Sequence, residues 1–168
     1  MIQGLQSKWV QLNPDVVLLM SGTNDVGQQH PNATVVADMG ALLTALRVTL
    51  PQARIFVTSI LNFYSSDNPA LPASVAAYNA ALPGLISKID GVFVDINSAT
   101  GMCTPNDSPL EHLCAVCNGP CGGYNPKVCP PEGFSWCHPS GAGYELVAGI
   151  WAQALLPVLS DVALKKGR

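Results

Sequence analysis

An α/β fold, with a parallel sheet covered by helices on both faces, is what this sequence predicts. Three short apolar runs, residues 16–20, 54–60 and 92–96, have the length and β-branched content of strands in a parallel sheet. Longer segments between and after them repeat apolar residues at helical spacing. Alternation of this kind builds crossover units on a single sheet, a three-layer α/β/α sandwich.

The elements follow in order. Ile2, Leu5, Trp9 and Leu12 recur at helical spacing, and Pro14 ends that opening helix. Residues 16–20 (VVLLM) read as a strand buried on both faces. Asn32 is placed to cap a helix carrying Val35, Met39, Leu42 and Leu46 on one face, which Pro51 stops. Residues 54–60 (RIFVTSI) form the second strand. Val75, Tyr78, Leu82, Leu85 and Ile89 make another helical stripe, with a kink expected at Pro83. Residues 92–96 (VFVDI) form the third strand. The last helix is capped by Ser140, presents Val147, Trp151, Ala154, Leu155, Val158 and Val162, and is expected to kink at Pro157.

From 97 to 136 the periodicity stops. That stretch is too long for an ordinary connection and holds most of the cysteines. We read it as a cross-linked loop excursion inside a single domain spanning residues 1–168.

Composition narrows the function. The chain has 168 residues, 48% of them hydrophobic, enough for one sizeable core. Net charge is −3 with no basic run, which argues against nucleic acid as a partner. Lys165, Lys166 and Arg168 suit a solvated helix end instead. No apolar run approaches the ~20 residues of a membrane span, and no signal-peptide pattern opens the chain. Cys103, Cys114, Cys117, Cys121, Cys129 and Cys137 form an even, clustered set. Such a set points to disulfides and a secreted, oxidised protein. Zinc held by Cys114, Cys117 and Cys121 with His112 nearby is the rival reading, though paired CxxC knuckles are missing. The sequons at Asn32 and Asn106 permit glycosylation.

Two segments carry chemistry. Residues 15–25 (DVVLLMSGTND) are an apolar strand breaking into a glycine-containing polar turn, where open α/β sheets place their sites. Residues 137–144 (CHPSGAGY) hold a histidine in a loop that opens a helix. Together they resemble two of the four sequence blocks of the SGNH (GDSL-type) ester hydrolases. Gly22, Thr23, Asn24 and Asp25 match the GxND block; His138, Pro139, Gly143 and Tyr144 match the closing HP-x-x-x-GY block. The resemblance leans toward secreted, carbohydrate-esterase-like members.

That resemblance implies a flavodoxin-like sheet of five strands in order 2-1-3-4-5, of which this chain supplies strands 3, 4 and 5. It implies that Asn24 donates its side-chain amide to an oxyanion, that Gly22 lets the backbone turn closely, and that His138 is the general base. It implies no metal or organic cofactor, and a small-molecule or carbohydrate ester as substrate. The family's Gly-Asp-Ser nucleophile block finds no match here, nor does the glycine block of the oxyanion hole. Ser135 stands where the triad acid is expected. The chain is therefore expected to be N-terminally truncated and inactive alone, with residues 16–20 left as an open sheet edge.

Ser21 and Ser59 are the nearest substitute nucleophiles, but neither sits in a strand-to-helix elbow; Asn106-Asp107-Ser108 lacks a preceding strand. Glu132 has the wrong spacing to replace the acid, and Asp25 and Asp95 are expected to serve structure. His30 and His112 lack catalytic context. The alternative to a hydrolase is a non-catalytic glycan- or partner-binding protein on the same scaffold.

Overall fold

The structure, a computed structural model, describes residues 10–62, 70–100 and 141–166. Strands β1 (Val16–Leu19), β2 (Arg54–Thr58) and β3 (Val92–Val94) form one parallel sheet in the order β1-β2-β3. Val16 pairs with Arg54 and Leu19 with Val57, while Phe56 pairs with Val92 and Thr58 with Val94. Helices α1 (Thr23–Gly27) and α2 (Asn32–Thr49) connect β1 to β2, and α3 (Leu71–Ser87) lies between β2 and β3. Helix α4 (Ile96–Thr100) follows β3, and α5 (Gly141–Lys166) closes the described chain. Parallel strands joined through helices are the predicted α/β class.

The chain divides into two compact units, Met1–Ser59 with Ala77–Val94, and Ile60–Ala76 with Asp95–Arg168. The first holds the sheet. Ile55, Phe56 and Val57 of β2 are buried, as are Leu42, Leu43 and Leu46 of α2 and Tyr78, Leu82 and Ile86 of α3. Each such side chain contributes about 1.5–3 kcal/mol on leaving water. Arg47 clamps the far end of this unit. Its guanidinium donates to the carbonyls of Ile89 at 2.8 Å, Ala53 at 2.9 Å and Pro51 at 3.1 Å. Past α3, Gly91 N donates to Ile86 O and Asp90 N to Ser87 O, with Asp90 at φ 50. This is the six-to-one and five-to-two pairing that ends helices through a left-handed residue.

In the second unit, Asp95 ends β3 and starts α4. Its carboxylate accepts the Ser98 amide at 3.0 Å, an N-cap bond that satisfies a donor the helix leaves orphaned. Thr100 Oγ1 donates back to Ile96 O at 2.7 Å, and the Asn62 amide donates to Asn97 Oδ1 at 2.7 Å. Helix α5 buries Val147 and Val158. Trp151, Ala154 and Leu155 are partly buried.

Several local expectations change. Strand β3 stops at Val94 because Asp95 turns the chain into a helix, which carries regular structure to Thr100. Strand β2 stops at Thr58. Pro31, not Asn32, is the N-cap of α2; Asn32 is its first residue, and no side-chain cap bond forms. Strand β1 is not buried on both faces: Leu18 is 48% exposed and Met20 beyond it 50%. Among the described residues β1 pairs with β2 alone. Of the predicted opening helix, only a 3-10 turn at Val10–Leu12 is described. Ser140, Val162 as a side chain, and the loop excursion beyond Thr100 lie outside the described residues.

Candidate active site

The turn after β1 is built around Gly22. Its φ of 110 places it in the left-handed region, where an L side chain costs roughly 1–2 kcal/mol. That conformation lets the chain leave the strand and enter α1 at once. The Val26 amide donates to Gly22 O at 2.9 Å and the Gln28 amide to Asn24 O at 2.8 Å. Asn24 is exposed. Its side-chain amide makes no hydrogen bond among the described residues.

Beneath the turn lies Tyr78 of α3. Its ring is fully buried, and its hydroxyl donates to the carbonyl of Ser21 at 2.8 Å. Burial, with the Asp25 carboxylate adding to it, pushes the Tyr78 phenol well above its usual pKa. The phenol therefore stays protonated and keeps its donor. Periodicity read Tyr78 as core and missed this contact. The signal was present all the same, since a tyrosine in an apolar stripe must still place its hydroxyl.

A cavity of about 330 Å³ adjoins the turn, between Ser21, Gly22, Asp25 and Tyr78 on one side and Val35, Asp38, Met39 and Leu42 of α2 on the other. Asp25 and Asp38 are exposed and put negative charge at its rim. Asp25 O also accepts the His30 amide at 3.0 Å. The His30 imidazole lies 3.8 Å from the Asp25 carboxylate, with both side chains about half exposed. A pair so solvated contributes little.

Of the predicted site residues, Gly22 and Asn24 share this turn. His138, Pro139, Ser135, Glu132, His112, Ser108 and all six cysteines lie outside the described residues. In the second unit, Gly143 is buried in the first turn of α5 and Tyr144 is 53% exposed. Ser59 is fully buried at the end of β2, which removes it as a nucleophile for an incoming ester. The carbonyl of Ser21 is held by Tyr78, and its side chain is partly exposed.

The model of the GDSL-like Lipase/Acylhydrolase family matches residues 3–146. The chain belongs to that family. Among curated proteins none matches it. Among solved structures, this GDSL-like chain is similar to a family 3 carbohydrate esterase from Clostridium thermocellum at TM-score 0.62 and 21% identity. The match covers 97% of this chain and 68% of that one. A carbohydrate esterase family 3 structure from Talaromyces cellulolyticus gives TM-score 0.61 at 22% identity, covering 90% and 62%. An acetyl esterase crystallised with acetate gives 0.61 at 25%, covering 96% and 65%. The chain thus has the α/β fold of the SGNH hydrolases and spans about two thirds of the length of these structures.

Proposed function

We propose that this chain provides the oxyanion turn and the general base of a hydrolase acting on carboxylic esters, with O-acetyl groups on carbohydrate as the favoured substrates. The observation that carries the reading is the Gly22 turn, which places Asn24, exposed and without a side-chain hydrogen bond among the described residues, at the carboxyl end of β1. In acyl transfer, charge develops on the carbonyl oxygen, and a preorganised donor aimed at that oxygen lowers the barrier. Asn24 is that donor. His138, preceding α5, takes the proton of the attacking hydroxyl and returns it to the leaving group.

The acidic rim made by Asp25 and Asp38 disfavours anionic esters and suits neutral ones, as an acetylated sugar is. The fold neighbours described as carbohydrate and acetyl esterases support that class. The clustered cysteines support a secreted protein. No Gly-Asp-Ser occurs in the 168 residues, so the chain alone is expected to turn over no ester.

The test is p-nitrophenyl acetate hydrolysis by the purified, folded chain beside a His138→Ala control, together with the coding sequence upstream of Met1. An open frame encoding a strand and Gly-Asp-Ser supports the reading. The longer protein should then hydrolyse the ester and lose roughly 10²–10³-fold in kcat on Asn24→Ala. Turnover by the chain alone that vanishes in the histidine variant would sink the expected inactivity and point to Ser21. An upstream stop codon with an inert, folded chain would favour the binding-protein alternative.

A further inference from the structure

We propose that Tyr78 is a positioning residue for the turn: its hydroxyl and ring together fix the backbone from Ser21 to Gly22, and so the place from which Asn24 presents its side chain. The inference rests on the reading of Asn24 as an oxyanion donor and names the group that holds the turn carrying it.

Three observations converge. The Tyr78 hydroxyl reaches across 57 residues of sequence to the Ser21 carbonyl, at 2.8 Å. The next residue, Gly22, lies so close to the same ring that a β-carbon there would sit 2.6 Å from Cζ and 2.7 Å from the hydroxyl oxygen. The turn is therefore both tethered to Tyr78 and seated on it. Third, Asn24 is exposed with no side-chain hydrogen bond among the described residues. Among the described residues the backbone alone places it, in the first turn of α1.

Packing alone does not explain a tyrosine here. Phenylalanine would fill the same buried volume without a polar atom to satisfy, and burying a hydroxyl costs free energy unless it is bonded. The hydroxyl finds its acceptor one residue before the left-handed glycine, where a single bond governs the exit from β1. An oxyanion donor works only when it is held before the charge develops, and small displacements forfeit much of its effect. A buried phenol that keeps its proton is a fixed anchor for that purpose.

Amide hydrogen exchange by NMR on the full chain, wild type against Tyr78→Phe, tests this. The phenylalanine keeps the ring and removes only the hydroxyl. The Val26 and Gln28 amides, which bond to Gly22 O and Asn24 O, should exchange roughly five- to tenfold faster, as loss of one such bond implies. The Asn24 side-chain NH₂ signals should shift, while Phe56 and Val57 in β2 keep their protection. Unchanged exchange at Val26 and Gln28 would overturn the proposal. So would equal acceleration at every slow amide, the mark of a purely structural role. A second measurement needs no variant: wild-type protein should show a nuclear Overhauser contact between the Gly22 α-protons and the Tyr78 ring, and its absence would also overturn the proposal. Asn24→Ala in the longer, ester-hydrolysing protein tests the oxyanion reading separately, so the two failures are distinguishable.

Discussion

A β-carbon on residue 22 would overlap the Tyr78 ring, lying 2.6 Å from Cζ and 2.8 Å from Cε1. Gly22 is thus required twice, by its φ of 110 and by its neighbour. Gly22→Ala should destabilise the fold by about 2 kcal/mol or more, combining left-handed strain with the overlap. Gly84 is the control. It is helical, with nothing within 4 Å of its would-be β-carbon, so Gly84→Ala should stabilise by up to about 1 kcal/mol. Urea denaturation of both variants checks the opposite signs.

The raised Tyr78 pKa makes stability fall at high pH. The folded state holds the phenolic proton more tightly than the unfolded chain. Its contribution is fully present below the unfolded value, about 10, and is lost as pH rises toward the higher folded value. Urea midpoints should drop between pH 9 and pH 11 in the wild type and drop less in Tyr78→Phe. Equal drops would show that Tyr78 is not the group responsible.

Arg47 holds together the end of α2, the entry to β2 and the turn after α3 through the carbonyls of Ile89, Ala53 and Pro51. Arg47→Met keeps the apolar stem and removes every donor, so it should cost about 2–4 kcal/mol. Lysine, a single compact donor group, should recover less than half of that. Chemical denaturation of the pair separates charge from fork geometry.

Thr58 ends β2 fully buried, and its hydroxyl oxygen has no hydrogen-bond partner among the described residues. A buried hydroxyl without a partner is destabilising. Thr58→Val, nearly isosteric, should therefore be neutral or stabilise by up to about 1 kcal/mol. A melting temperature that falls by several degrees would show that the hydroxyl is bonded after all.

The cysteines yield the last prediction. If they form disulfides, reduction lowers the melting temperature and chelation leaves it unchanged; zinc would reverse the pattern.

The turn after β1 was legible because its chemistry is local. Gly22 and Asn24 belong to a turn that follows directly from an apolar run, and turn residues declare themselves by type. Tyr78 was legible only as one member of a stripe. Periodicity tells which face of a helix is buried, not which carbonyl a hydroxyl will meet 57 residues away. Ile96 shows the converse limit: residues 92–96 look like one strand, yet the Asp95 carboxylate capping the Ser98 amide makes Ile96 helical.

The sequence by itself determined the alternation of strands and helices, the parallel sheet, the family and the turn that carries Asn24. The alternation and the turn follow from side-chain period and from residue types acting within a few neighbours; the family follows from the resemblance of two motif blocks. Only the tertiary structure decided that Tyr78 underlies Gly22, that Arg47 gathers carbonyls from three segments, and that β1 carries Leu18 half-exposed. Those relations depend on which distant backbone atoms a side chain reaches, and that is set by packing, which no local pattern encodes.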